Sequence, residues 1–233
     1  MATASAIIVA GGSGTRFRSE TPKQFLALSG KPLLAHTLAR FDVCAAIARI
    51  VLVLPRDGFA GARETMEGFV GDKPTDIVPG GDTRQASVLE GLSALEPESE
   101  SLIAVHDGAR PLVDEELITR VVEKAGECGG AIAAIPVVET LKEVSEAMTI
   151  EGTVDRKRYY RAQTPQCFRY GILREAIEVA RRDGFVGTDE AALVERVDAT
   201  IHVVAGSERN IKITTPEDMA RAEYYLMTRS ARG

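Results

Sequence analysis

Two positive charges close a glycine-rich stretch. The segment AGGSGTRFRSETPK (10–23) follows the apolar run SAIIVA and carries three glycines, then Arg16, then Pro22 and Lys23. Glycine lets a backbone approach a ligand closely and aim N–H groups at it. Arg16 and Lys23 add charge, and Pro22 restricts the chain just before Lys23. The pattern suits a loop that holds phosphates. It is not a Walker A loop, because the pair Gly30–Lys31 is followed by proline rather than Ser or Thr. A dinucleotide fingerprint fails as well: after Gly12 and Gly14 come Thr15, Arg16 and Phe17, without the third glycine. A glycine-rich turn with two solvated bases is the plain alternative.

Other stretches collect charged and small residues at spacings that suit a site. They are PGGDTRQASVLEGL (79–92), VHDGARP (105–111), VVETLKEV (137–144), TVDR (153–156), QTPQCF (163–168), GTDEAALVE (187–195) and NIKITTPED (210–218). No Ser/His/Asp or Cys/His arrangement for nucleophilic catalysis stands out. His36, His106 and His202 lie far apart without an HExxH pattern, so zinc is not expected. Cys44, Cys128 and Cys167 have no CxxC-like spacing and read as reduced, buried residues of a cytoplasmic protein. The formal net charge of −6 argues against a nucleic-acid partner while leaving room for a small anion at a local basic site. The N-terminus lacks a basic start, and no run is long enough to span a bilayer, so neither targeting nor membrane insertion is expected.

The positioning elements follow from periodicity. SAIIVA (5–10), RIVLVLP (49–55), TDIVP (75–79), SLIAVHD (101–107) and GAIAAIPV (130–137) suit strands buried on both faces. Between them run helical stripes: Leu33, Leu34, Thr37, Leu38, Phe41; Ala86, Val88, Leu89, Leu92, Leu95; and Leu117, Ile118, Val121, Val122. The sum is one α/β domain over residues 1–233, a Rossmann-like, doubly wound, mostly parallel sheet flanked by helices. Ligands bind such sheets beyond the carboxyl ends of the strands. Residues 138–161 break the rhythm with two extended pieces and many charges. They are expected to form an inserted β-arm that leans on a second copy of the chain, a surface hairpin on a monomer being the alternative. RYGILREAIEVARRDG and TDEAALVERV suit helices, and TIHVVAG and NIKIT short strands. TPEDMARAEYYLM suits a last helix capped by Thr215 with Pro216 at its first position.

Taken in order, these motifs resemble the nucleotidyltransferases that join a nucleoside triphosphate to a phosphorylated sugar or polyol, and among them the 2-C-methyl-D-erythritol 4-phosphate cytidylyltransferase family. The likeness covers nearly the whole chain. The glycine loop departs from the commoner PAAGxGxRM form at Val9, Gly11 and Phe17 and keeps its charged residues. The resemblance implies transfer of a cytidylyl group from CTP to the polyol phosphate, with Mg²⁺ or another divalent cation held mainly by triphosphate oxygens and Asp107 near it. It implies a homodimer joined through the arm.

It also implies residue roles. Arg16 and Lys23 would stabilise the transition state. Ala10, Gly11, Gly12 and Gly14 would wrap the triphosphate, and Gly81, Asp82 and Ser87 would hold the nucleotide and its base. Asp107, Gly108 and Arg110 would lie beside ribose and phosphates, and Thr140, Arg156 and Lys212 would contact the acceptor, with Thr164 as an extra contact. Plainer roles stay open: Asp82 as a helix cap, Ser87 as a solvent-facing helix residue, Asp107 in an Asx turn, Arg110 and Arg156 as surface charges, Lys212 in solvent. His106 reads as structural. The rivals are a ribitol 5-phosphate cytidylyltransferase, a nucleotide-binding regulator without catalysis, and an NAD-dependent oxidoreductase, which the missing third glycine disfavours.

Overall fold

A computed structural model describes residues 2–11 and 22–230 of the chain. Gly12, Gly14 and Arg16 lie outside the described residues. The strands are β1 (Ala4–Val9), a short pair β2 (Ala27–Leu28) and β3 (Lys31–Pro32), β4 (Ile47–Leu54), β5 (Thr75–Pro79), β6 (Leu102–Asp107), β7 (Gly130–Pro136), a hairpin of β8 (Lys142–Val144) and β9 (Ile150–Thr153), β10 (Tyr160–Arg169) and β11 (His202–Ala205). The helices are α1 (Leu33–Val43), α2 (Phe59–Glu67), α3 (Arg84–Ser93), α4 (Glu115–Cys128), α5 (Tyr170–Arg182), α6 (Glu190–Val194) and α7 (Pro216–Ser230).

Alternation within the strands decides the layering. In β1, Ala4, Ala6 and Ile8 enter one core while Ile7 and Val9 enter the other, and β4 divides Ile50, Leu52 and Leu54 from Val51 and Val53 in the same way. One core takes the buried stripes of α1 and α4, the other those of α3, α5 and α6. Side chains such as Leu34, Leu38 and Phe41 are fully buried, each contributing about 1.5–3 kcal/mol of transfer free energy. Gly91 of α3 lets that helix lie against β1 and β4, since a Cβ there would come within 2.6 Å of Ile7 Cγ2. This close approach carries the first turn of α3 to the sheet's carboxyl edge. Helix α4 stops at Gly129, whose φ of +89° suits glycine.

The seven-stranded sheet runs β11-β7-β10-β6-β1-β4-β5. β1 pairs in parallel with β4 and β6, β4 with β5, and β7 with β11, while β10 runs antiparallel to both β6 and β7. The chain leaves β1 toward β4 and later returns to its other side as β6, which makes the β1/β6 carboxyl edge a topological switch point.

The fold corrects several local expectations. β10 occupies the interior of the sheet, yet its sequence YRAQTPQCFR buries three polar residues, Gln163, Thr164 and Gln166, and does not alternate as an apolar strand would. α2 buries only Met66, too little for a legible stripe. NIKIT is not a strand: Ile213 N–H donates to Ala109 O at 2.8 Å, and Ile211 N–H to the nearby Arg209 O, so no ladder forms. The expected helix TDEAALVERV ends as an α-helix at Val194 and closes in a 3-10 turn, Glu195–Val197. The arm is the β8–β9 hairpin; after a 3-10 turn, Arg156–Arg158, the chain joins the main sheet as β10 at Tyr160, opposite Pro136, so the last two residues of 138–161 belong to the sheet.

Candidate active site

The carboxyl ends of β1, β4, β5 and β6 open into a cleft of about 730 Å³. Its lining includes Ala10, Gly11, Lys23, Gly81, Asp82, Arg84, Ser87, Asp107 and Lys212. The elements hold it by backbone bonds: Ala10 N–H donates to Val53 O at 2.8 Å, Gly80 N–H to Leu54 O at 2.7 Å and Gly108 N–H to Val9 O at 2.8 Å. Gln24 Nε2 donates to Ala10 O at 2.9 Å, which ties the short 3-10 turn Lys23–Phe25 to the end of β1. Lys23 Nζ donates to Ile213 O at 3.0 Å and so spans the cleft floor toward the segment before α7.

Ser87 closes the wall between β1 and β5. Its hydroxyl lies within hydrogen-bond distance of Thr83 O (2.9 Å) and accepts from Gly81 N–H at 3.2 Å. A Cβ on Gly11 would come within 2.9 Å of that hydroxyl, and one on Gly81 within 2.5 Å of Ala86 Cβ. Both positions therefore need glycine for close approach. Ser87 is buried rather than facing solvent. Asp82 is not the cap of α3: Thr83 is, its side chain accepting from Ala86 N–H at 3.0 Å, and Asp82 is left at the exposed rim.

Asp107 is the electrostatic centre. It ends β6 at 7% exposure and accepts from Arg84 Nε at Oδ1 (3.0 Å) and from Lys212 Nζ at Oδ2 (2.8 Å), with Arg110 Nε 3.7 Å from Oδ2. Burial alone would raise its carboxyl, but Arg84, Lys212 and Arg110 overcome this and hold it well below the usual carboxylate range. An Asx turn is thus not its role. Lys212 points away from buried Ile213 into the cleft, half paired and part exposed.

Other expected residues sit elsewhere. Arg110 is no surface charge; it is buried, donates to Asn210 O at 2.8 Å and does not line the cleft. Gly108 lies under it, where a Cβ would meet Leu34 Cδ1 at 2.7 Å. The Thr164 hydroxyl is engaged by Asp107 N–H at 3.0 Å and by His106 Nδ1 at 3.1 Å, which turns it inward. Thr140 and Arg156 are exposed on the hairpin, outside the lining of this chain's own cleft. Arg156 Nη1 donates to Val138 O across the hairpin base. Among the described residues no group of three or more His, Cys, Asp or Glu is arranged to hold a metal, and no helix is long and apolar enough to cross a membrane. Arg84 and Glu190 fall within two of the motifs, PGGDTRQASVLEGL and GTDEAALVE, but neither stands out there as a site residue. Nothing local in the sequence signals that positions 84 and 190 pair.

A family model described as "IspD: 2-C-methyl-D-erythritol 4-phosphate cytidylyltransferase" matches residues 4–228. A 2-C-methyl-D-erythritol 4-phosphate cytidylyltransferase of Geotalea uraniireducens is 45% identical over 224 residues, covering 95% of this chain and 96% of that protein. The enzyme of that name from Syntrophus aciditrophicus is 43% identical over 228 residues, covering 97% of each. Among solved structures, the 4-diphosphocytidyl-2C-methyl-D-erythritol synthase of Anaerococcus prevotii superposes with a TM-score of 0.84 at 33% identity, over 97% of this chain and 96% of that one. The Thermus thermophilus 2-C-methyl-D-erythritol 4-phosphate cytidylyltransferase does so with a TM-score of 0.75 at 34% identity, over 97% and 98%.

A polar chain fixes the floor of the site. Asp107 N–H donates to the Thr164 hydroxyl, which donates to His106 Nδ1, leaving the protonated Nε2 to donate to Arg110 O at 3.3 Å. That polarity requires the neutral imidazole, and burial drives His106 down to about 3. Unfolded, the ring takes its proton near 6.5; folded, it waits until about 3. Between those values the unfolded chain binds the extra proton, so acidification through this window progressively lowers stability through this group. Thermal melting from pH 6.5 downward should therefore fall less steeply in His106→Gln than in the unsubstituted protein. Parallel curves would remove His106 as the titrating group.

Proposed function

The chain belongs to the 2-C-methyl-D-erythritol 4-phosphate cytidylyltransferase family, and on that premise we propose how its cleft performs the reaction. The enzyme transfers a cytidylyl group from CTP to 2-C-methyl-D-erythritol 4-phosphate, giving 4-diphosphocytidyl-2-C-methyl-D-erythritol and pyrophosphate. A phosphate oxygen of the acceptor forms the new bond to the α-phosphorus of CTP, and the bond to the pyrophosphate oxygen breaks in line. The acceptor phosphate has a second pKa of about 6 and is already largely ionised at neutral pH. No general base is required. The obstacle is the meeting of two polyanions, which positioning and charge neutralisation overcome.

The observation that carries this reading is the cluster at Asp107, with Lys212 and Arg84 on its two oxygens and Lys23 lining the same cleft. Ala10 and Gly11, with Gly81 and Ser87 across from them, form the narrow wall suited to the flat base and ribose, with Asp82 at the rim. Gly12 and Gly14 would continue the wrap around the triphosphate, and Arg16 would join Lys23 on the charge developing at the α-phosphorus. Lys212, held by Asp107, faces the incoming phosphate. Gly108, Arg110 and Thr164 support this edge from beneath rather than touching substrate. Mg²⁺ fits as an ion carried by the triphosphate: Asp107 has accepting capacity beyond its two bonded cations and would hold it, and the ion would neutralise phosphate charge.

A second reading concerns assembly. Val138, Val144, Met148, Ile150, Tyr159 and Tyr160 are large apolar residues of the arm or its junction with the sheet, all exposed. A two-stranded hairpin has little stability of its own in water. We infer that two copies pair through the arm, which would bring Thr140 and Arg156 of one chain toward the acceptor end of the other's cleft.

Lys212→Ala should lower turnover by about 10²–10³-fold in a pyrophosphate-release assay, equivalent to about 3–4 kcal/mol of lost transition-state stabilisation. Unchanged turnover would remove Lys212 from the reaction, and equal rates with ribitol 5-phosphate would overturn the choice of acceptor. Sedimentation should give a dimer, and Arg156→Ala should raise the acceptor KM or lower kcat; a fully active monomer would end the assembly reading.

A further inference from the structure

Glu190 is an anion with almost no exposure, buried at 1% beside a cleft it does not line. Its two oxygens accept from the Arg84 fork, Oε1 from Nη1 at 2.7 Å and Oε2 from Nη2 at 2.9 Å. The third donor of that guanidinium, Nε, reaches Asp107 Oδ1 at 3.0 Å. Arg84 thus links an anion at the site to an anion behind it. Burial pushes the Glu190 carboxyl up, and the Arg84 charge opposes that shift.

The segment carrying Glu190 is pinned from three sides. Asp189 caps α6 through Ala192 N–H at 2.9 Å and accepts from Gln166 Nε2 at 2.8 Å. Gln166, buried in the middle of β10, accepts from Ala191 N–H at 3.0 Å. Gly187 N–H donates to Gln85 Oε1 of α3 at 3.1 Å. This is a dense set of polar contacts, with Glu190 and Gln166 buried, for a helix of five residues. A buried ion pair is a weak source of net stability, so stability alone does not account for it.

We propose that Glu190 is a positioning residue: by occupying the bidentate edge of Arg84, it limits Arg84 to one oxygen of Asp107 and leaves the other oxygen to Lys212. An arginine fork matches a carboxylate or a phosphate edge. Without Glu190, that fork is free to take both oxygens of Asp107, or to turn into the cleft toward the triphosphate. Either move releases Lys212 from the place where it meets the acceptor. The GTDEAALVE motif then serves the reaction without touching substrate. The inference rests on the role given to Lys212 above.

Five variants test it, each checked for folding by circular dichroism. Glu190→Gln keeps the shape and removes the charge; kcat should fall at least about tenfold while the KM for CTP moves by less than about threefold. In an Arg84→Met background, adding Glu190→Gln should change kcat by less than about twofold, because Glu190 acts only through Arg84. A smaller fall in the single variant, a shift of both constants together, or an additive further loss in the Arg84→Met background would overturn the proposal. Should Glu190→Gln fail to fold, the deciding variant is Arg84→Met/Glu190→Leu, which replaces the pair with apolar groups. A folded double variant with kcat down at least about tenfold, and within about twofold of Arg84→Met alone, supports the proposal. One that is fully active, or that does not fold, overturns it and makes the pair a support of the fold. Lys212→Ala separates the two failures: if it keeps full turnover the reading of the site fails, and if it alone loses turnover only this inference fails.

Discussion

A single carboxylate buried at the carboxyl end of β6 imposes the order of this site. A buried charge is tolerated only when paired and hydrogen-bonded. Asp107 meets that demand by drawing in cations from distant parts of the chain: Arg84 from the first turn of α3, Lys212 from the segment before α7 and Arg110 from the turn after β6, while its backbone N–H is held by the Thr164 hydroxyl of β10. Three cations meet at one anion, and a second buried anion, Glu190, offsets part of the excess. What remains facing the cleft is cationic, as a meeting place for two phosphates requires.

The same constraint explains the least regular parts of the fold. β10 is a central strand rich in buried amides and a hydroxyl, which is costly unless every group has a partner. Those partners are the site's own supports: Gln163 bonds Ser207 and Asn210, Thr164 bonds Asp107 and His106, and Gln166 holds α6. Asn210 in turn donates to Thr164 O at 2.8 Å and accepts Arg110 at its carbonyl. The polar strand gives up apolar burial and in return fixes the geometry beneath the cleft.

The parallel framework was legible because its strands are buried on both faces and its helices carry clear stripes. β1, β4, β5, β6 and β7 appear where SAIIVA, RIVLVLP, TDIVP, SLIAVHD and GAIAAIPV lead one to look. β10 was not legible, since its polar residues are satisfied only by tertiary partners that no local pattern reveals. NIKIT misled for a related reason: Ile213 is buried and Lys212 only part exposed, a contrast that a single anchoring bond to Ala109 produces without a ladder. At the site, Asp107, Lys212, Lys23, Gly81 and Ser87 come together at one edge as the motifs suggested. Arg110 and Thr164 belong to the layer below, and the pairing of Arg84 with Glu190 spans more than a hundred residues of sequence. Spacing in a sequence locates such charges without telling which of them meet.

The measurement that bears most directly on this account is steady-state turnover of Asp107→Asn, a nearly isosteric change that removes one charge. If the buried carboxylate organises the cations, kcat/KM for the acceptor should fall by at least about 100-fold in a protein that remains folded. A folded Asp107→Asn enzyme within about threefold of the unsubstituted one would contradict it, and the cluster would then be scaffolding rather than the heart of the site.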